Sequence, residues 1–357
     1  MSKRIDHIIL TVDYEIFGNG TGSLRKCLIS PTYKILNIAE QYDAPVTFFV
    51  EVLEFDAMKR EGMKSQPGML TQITAVEQQI HSAIWRGHDV QLHLHPQWIG
   101  AKHVKNGAWE LDMARWRIGD LSSSEAYKIL DFGKNFLENM INPINPKYKC
   151  QVFRAGAWCI QPSSNILKVL KELEFKIDST VVPGLKNILD GEWFDFYNAP
   201  NLPYWLIDED VCKNGKQGLY EIPILSGKVS RFKHGKNLAD TFFRKESDIA
   251  PNCQGNYGKT DNKLKRIIAR LFKLLNIGRV MLDISTMPSE ILIEITRNWI
   301  TRFGNENIHL PIVAIGHTKN FTHNSEKELK NYLSWSEKQG IAFSTFGQWL
   351  DGIGKRK

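Results

Sequence analysis

Two carboxylates stand two positions apart at the end of an apolar run: Asp13 and Glu15 in "TVDYEIFG". The preceding "IDHIIL" reads as a strand. Side chains of a strand alternate, so both acids point the same way. Like charges on one side of a strand end repel unless something compensates them. Further along, "GHDVQLHLHPQW" is a second short strand pattern, ending in His93 and His95, again two apart and on one face. Acids on one strand end and imidazoles on another are the ligand types of a divalent metal site.

The elements that must position these residues follow a βα rhythm. "IDHIILTVD" is a strand, and "PTYKILNIAEQY" a helix opened by Ser30 and Pro31. "APVTFFVEV" is the next strand, "TAVEQQIHSAIWRG" a helix closed by Gly87, and "HDVQLHLH" a strand. "SSSEAYKILDFGKNFLENMI" is a helix with Ser122 to Ser124 as candidate caps and Glu125 just inside. "CQVFRAG", "QPSSNILKVLKELE" and "FKIDSTV" continue as strand, helix and strand. From 184 to 260 the rhythm breaks into Gly, Asn, Asp, Pro and aromatics, with "LYEIPIL" its clear strand. It resumes with a helix over 261–276, then "RVMLDIS", "PSEILIEITRNWITRF", "LPIVAIGH", "SEKELKNYLSWSEKQ" and "IAFSTF". About eight strands alternating with helices argue a parallel α/β architecture. A closed barrel is favoured over an open sheet, because "FGNGTG" after the first strand lacks the spacing of a dinucleotide-binding fingerprint. In such barrels functional residues sit at the C-terminal ends of strands. Those ends carry Asp13, Glu15, His93, His95, Arg154, Asp178 and His317.

The chain of 357 residues suits one large barrel. No apolar run reaches the roughly 18–20 residues of a spanning helix. The N-terminus lacks the apolar core of a signal peptide and reads as a first strand. Five scattered cysteines, with no C-x-x-C, read as reduced thiols and point to the cytoplasm. The net charge of +7 fits an anionic partner such as a phosphorylated sugar carrier or a membrane surface. No nucleic-acid motif appears. Within 263–275, Leu264, Ile267, Ile268, Leu271, Leu274 and Leu275 share one face; Lys263, Arg266, Arg270 and Lys273 share another. This reads as an outer barrel helix with a solvated basic face, or as an interfacial helix on an anionic membrane at the inner face.

In order and context these segments resemble the polysaccharide deacetylases of the NodB-homology type, carbohydrate esterase family 4. "ILTVDYE" looks like their first motif, usually T-F-D-D-G, and "APVTFFV" like the strand that follows it. "GHDVQLHLHP" resembles the metal-binding histidine motif, "FRAGAW" the arginine motif and "FKIDSTVVPG" the Asp-Ser segment after it. "VAIGHTKNF" is similar to the last motif, with its catalytic histidine. The resemblance covers residues 6–184 and 279–350. It leaves about 185–278 as an unassigned insertion within a single domain, 1–357.

The resemblance implies a distorted (β/α)7-8 barrel and metal-dependent removal of an N-acetyl or similar acyl group from a sugar. Zinc or another divalent ion would be held by one carboxylate and two histidines. Asp13 would be the general base, Arg154 its partner and His317 the acid, with Glu15, His93 and His95 as ligands. Two departures qualify the match. Tyr14 stands where the family has its metal aspartate, so Glu15, longer and on the same face as Asp13, reaches the ion; the swapped assignment is the alternative. The usual H-x-x-x-H is replaced by His93 and His95 with Gln97 at the later position, so Gln97 or water is expected to enter the coordination. Trp98, Trp158 and Asp178 are candidate substrate contacts; each also has an ordinary reading as packing residue or cap. With no export signal, the expected substrate is a nucleotide- or lipid-linked sugar of surface polysaccharide synthesis. The competing expectations are a barrel that binds carbohydrate without turnover and a hydrolase of a non-sugar C–N bond.

Overall fold

The apolar run Asp6–Tyr14 forms strand β1, buried from Ile8 to Tyr14 on both faces, as a central parallel strand requires. The structure, a computed structural model, describes residues 5–65, 67–104, 108–189, 192–229, 279–304 and 309–354. β1 belongs to a nine-stranded sheet. The other members are β2 (Val46–Glu51), β3 (Asp89–Leu94), β4 (Val152–Ala155), β5 (Ile177–Asp178), β6 (Trp205–Ile207), β7 (Leu219–Glu221), β8 (Leu310–His317) and β9 (Ala342–Phe343). Their order is β6-β7-β5-β4-β3-β2-β1-β8, with β9 also on β1. All pairings are parallel except β6 with β7.

The sheet curls until its two ends are joined. Past β7, Ile222 donates its N–H to the Asp178 carbonyl (3.0 Å), and Leu225 donates to Val313 of β8 (3.0 Å). Residues 282–284 cover the same edge of β8, with Ile315 bonded to the Leu282 carbonyl at 3.0 Å and Ile284 to the Ile315 carbonyl at 2.8 Å. The result is the expected distorted barrel of mostly parallel strands. Part of the stretch that the family resemblance left unassigned, 185–278, is therefore woven into the barrel. It supplies β6, β7, an antiparallel hairpin of Lys186–Leu189 with Glu192–Asp195, and Ser226–Lys228 paired to Arg279–Met281. The predicted basic helix 263–275 lies outside the described residues.

Helices α1 (Ser30–Ala39), α2 (Val52–Ser65), α3 (Pro67–Trp85), α4 (Ser123–Ile141), α5 (Ser164–Glu172), α6 (Ser289–Arg302), α7 (His323–Lys338) and α8 (Phe346–Gly354) accompany the sheet. α4 shows the local logic. The Ser122 hydroxyl accepts from the Glu125 N–H while the Glu125 carboxylate accepts from the Ser122 N–H, a reciprocal cap. Ala126, Ile129, Leu130, Gly133, Leu137 and Ile141 then bury one stripe. α1 opens differently from expectation: a π-helical segment, Leu24–Ile29, precedes it, and Ser23 rather than Ser30 provides the cap. Among the described residues no helix is long and apolar enough to cross a membrane.

Candidate metal centre

Strand register sets the site. Asp13 on β1 is the direct neighbour of His317 on β8, while Glu51, His93 and Arg154 form a row across β2, β3 and β4. The C-terminal ends of five strands therefore contribute to one buried cluster. Asp13, Glu15, His93, His95 and Arg154 are each at most 4% exposed.

Arg154 is fully buried, and four hydrogen bonds hold its guanidinium. Nε donates to the Ser179 carbonyl (2.9 Å), and Nη1 to Asp13 Oδ1 (2.6 Å) and the Thr11 hydroxyl (3.0 Å). Nη2 donates to the Ser179 hydroxyl (3.3 Å), and the plane lies 4.0 Å from the Phe49 ring centroid. A buried charge with this many partners is compensated, whereas loss of one partner costs about 3–5 kcal/mol. Burial alone would raise the Asp13 pKa, but Arg154, then His93 and His317, hold it below the usual range. With Oδ1 taken by Arg154, Oδ2 remains, 3.4 Å from His317 Nε2.

Glu15, His93 and His95 form a second set. Glu15 Oε2 lies 2.8 Å from His95 Nε2 and 3.8 Å from His93 Nε2. Both imidazole Nε2 atoms are buried without a hydrogen-bond partner. His93 Nδ1 is 2.8 Å from the Arg154 carbonyl, which can only accept, so its proton sits on Nδ1 and the Nε2 lone pair is free. Two buried imidazole nitrogens and a carboxylate within 4.8 Å of one another fit a divalent ion of the zinc type. Burial opposes the ionisation of Glu15, but Lys319, then His95 and His93, hold its pKa well below the usual range. Burial dominates at His93 and lowers its pKa to about 4. Asp13, Glu15 and His317 make an overlapping group that shares Glu15.

Tyr14, between the two acids, points the other way, into the core, where its hydroxyl donates to Gln79 Oε1 at 2.9 Å. The alternation read from sequence is thus the observed one. Gln97 departs from expectation. Its amide nitrogen is 3.1 Å from His95 Nδ1, the ring nitrogen opposite the one that faces Glu15. It therefore serves the ring from behind rather than entering the coordination.

For two of the three candidate substrate contacts the structure favours the ordinary reading as packing residue or cap. Trp98 is 1% exposed and packs edge-on to Trp109, which leaves no face for a sugar. Asp178 is fully buried, accepts from Thr180 Oγ1 (2.7 Å) and neighbours Glu221 across the β5–β7 pairing. Trp158 does border the cluster. It is partly exposed, and its ring stands edge-on to His317 at 6.3 Å. Ala157 and Trp158 both have left-handed backbone, at φ 48° and 58°. Such conformations cost non-glycine residues about 1–3 kcal/mol and cluster at functional sites.

Five residues escaped the sequence reading. Lys319 Nζ lies 2.7 Å from Glu15 Oε1 and 3.2 Å from the Ile16 carbonyl. Its signal was its place two residues after His317. Glu51 accepts from the His95 N–H (2.8 Å), and Glu54 accepts from the Ile16 N–H with both oxygens (3.1 Å each). These glutamates clamp backbone beside two ligands. Burial raises Glu51 to about 7, and burial with the neighbouring Glu51 and Glu15 charges pushes Glu54 well above the glutamate range. Asp283 is close enough to His317 for the imidazole to oppose the rise that burial imposes on its carboxyl. Ser285 holds the His317 backbone, accepting from its N–H at 2.7 Å.

No protein-family model matches the chain, and no curated protein matches its sequence. Solved structures do. A GH57-type branching enzyme from Pyrococcus horikoshii aligns at TM-score 0.51 and 11% identity, over 98% of this chain and 70% of that one. A protein from Mycobacterium smegmatis assigned as a polysaccharide deacetylase aligns at 0.49 and 13%, over 99% and 92%. A CE4 family pseudoenzyme from Bacillus anthracis aligns at 0.41 and 11%, over 97% and 66%. At these identities the likeness to the branching enzyme concerns the fold alone. The structural neighbours of this chain are thus polysaccharide-deacetylase and GH57 folds, at low sequence identity.

Proposed function

We propose that this chain is a divergent deacetylase of the polysaccharide-deacetylase type, a metal-dependent hydrolase that removes an N-acetyl or similar acyl group from a sugar. The observation that carries this reading is the convergence of Asp13–Arg154, His317 and the Glu15–His93–His95 set on one end of one sheet. Zinc or another divalent ion, held by Glu15, His93 and His95, would supply Lewis-acid polarisation of the acyl oxygen and of water.

The protein's own groups divide the proton work. Arg154 keeps Asp13 ionised and fixes Oδ1, so Oδ2 takes the proton of the attacking water. His317 Nε2 faces the same space and donates a proton to the departing amine. Trp158, edge-on to His317, borders the substrate's approach and excludes water from that side. A basic chain suits a diphosphate-linked substrate, so a nucleotide- or lipid-linked intermediate handled in the cytoplasm or at the inner membrane face completes the proposal.

A second reading, a barrel that binds carbohydrate without turnover, is favoured by one contact, the Lys319 clamp on the carboxylate assigned to the ion. The test is acetate release from a panel of acetylated sugars by zinc-loaded and chelator-treated protein. Zinc-dependent release supports the enzyme. Sugar binding without release, at full zinc occupancy, supports the second reading.

A further inference from the structure

Two of the three candidate ligands stand where the sheet no longer holds the chain. Register pairing stops at Tyr14 on β1 and at Leu94 on β3, so Glu15 and His95 each lie one residue beyond the ladder. Strand β2 runs between β1 and β3 and carries none of the three ligands. Its last residue, Glu51, and Glu54 in the first turn of α2 are 1% and 3% exposed. Glu51 uses both oxygens: Oε1 accepts from the His95 N–H at 2.8 Å and Oε2 from the Glu54 N–H. Glu54 turns both of its oxygens to one donor, the Ile16 N–H, at 3.1 Å each. A capping box closes on its own helix. This one reaches outward, with one arm to the end of β1 and one to the end of β3.

We propose that Glu51 and Glu54 are positioning residues for the metal centre: together they form a strap at the start of α2 that holds the backbone of Glu15 and His95 at the spacing one ion needs. This rests on the metal-dependent reading above. His93 needs no strap, because it sits within the ladder, paired to Glu51 on one side and Arg154 on the other. A shift of either free end would carry one ligand away from the other two. The two carboxylates differ in what a substitution would remove. Glu54 faces a single N–H, which one amide oxygen satisfies. Glu51 faces two, so an amide oxygen satisfies one while its NH2 group meets the other donor head-on. Glutamine removes the same charge at both positions, so it separates the hydrogen bonds from the charge. Methionine, of similar length, accepts from neither donor.

The experiment measures zinc affinity by chelator competition, with the melting temperature of each metal-free variant alongside. Glu54→Met and Glu51→Met should each weaken zinc about 10–100-fold, the usual cost of losing a group behind a ligand. Glu54→Gln should bind zinc as wild type does, whereas Glu51→Gln should fall towards its methionine counterpart. Melting temperatures that drop with zinc affinity unchanged would make the two glutamates helix caps only, and would overturn the positioning role while leaving the metal centre standing. Equal losses in the two glutamine variants would assign the effect to charge and overturn it too. No zinc uptake by wild type overturns the centre and this inference with it. If the methionine variants fail to fold, the ranking of the two glutamine variants decides: Glu54→Gln tighter than Glu51→Gln upholds the strap, and equal affinities overturn it.

Discussion

Asp13 and His317 are register partners on adjacent parallel strands, and their side chains meet at 3.4 Å, Oδ2 to Nε2. A carboxylate and an imidazole on neighbouring strand ends can divide the two proton transfers of an acyl hydrolysis. The proton given to the leaving group matters most when that group is a poor one. His317→Ala is therefore expected to lose activity steeply on an N-acetyl sugar and much less on an activated aryl ester, with zinc content unchanged. Equal losses on both substrates would remove the acid role, and loss of zinc would make His317 a ligand.

Asp13 and Glu15 separate by partner. Asn at 13 keeps an oxygen for Arg154 Nη1 but cannot take a proton from water. Asp13→Asn should retain zinc and lose turnover by about 10²–10⁴-fold. Glu15→Gln should instead lower zinc occupancy, read by elemental analysis after dialysis. The reverse pattern would exchange the two roles.

The parts of this site that were legible in sequence are those set by strand alternation. Asp13, Glu15, His93 and His95 sit at strand ends with period two, so their facing could be read before any neighbour was known. Arg154 and His317 followed from their place after apolar runs. Glu51 and Glu54 were hidden because "VTFFVEVLEF" looks like one continuing strand. The chain turns into α2 at Val52, where Glu51 accepts from the Glu54 N–H and so caps the helix. Lys319 was hidden because an isolated lysine carries no periodic signal; only the loop after β8 brings it onto Glu15. Trp98 kept two readings in sequence because aromatic residues beside a strand end serve packing and stacking alike, and its burial favours packing. β6 is three residues long, too short for a period-two pattern to stand out from its loops, whereas β7 was already legible within "LYEIPIL".

The buried pair Asp178–Glu221 has a pH signature. Burial raises both carboxyls, and each charge opposes or shares the proton of the other, so the folded pair holds a proton that the unfolded chain releases. Where the folded state binds more protons, stability falls as pH rises. The slope begins above the ordinary carboxyl range, continues through the pair's raised range and is at most about 1.4 kcal/mol per pH unit for one proton. Glu221→Gln removes the shared proton's titration and should flatten this slope in urea unfolding between acid and neutral pH. An unchanged slope would assign the dependence elsewhere.

Gly156 bounds the His95 ring. A Cβ there would lie 2.5 Å from His95 Cγ and 2.6 Å from Nδ1, closer than side chains pack. Gly156→Ala must therefore rotate the imidazole, and zinc affinity is expected to drop about 10–100-fold. Gly133→Ala is the comparison, because its Cβ would meet a flexible end of Leu92. It should lower thermal stability without touching zinc affinity. Equal zinc affinity in both variants would show that the His95 ring has room to move.

Lys319 tests whether Glu15 faces an ion at all. Nζ and Glu15 Oε1 are 2.7 Å apart, with side chains only 12% and 5% exposed. Removing the cation leaves a buried carboxylate short of compensation, which costs about 3–5 kcal/mol. A divalent ion on Glu15, His93 and His95 restores that compensation, and a ligand that binds only the folded state stabilises it by mass action. Lys319→Met is thus expected to be less stable than wild type without metal, and to recover most of the loss in saturating zinc. Its zinc-induced gain in melting temperature should exceed that of wild type, since an ion beside an intact Lys319 is repelled by it. A loss that zinc does not repair would mean that Lys319, rather than a metal ion, is the resting partner of Glu15.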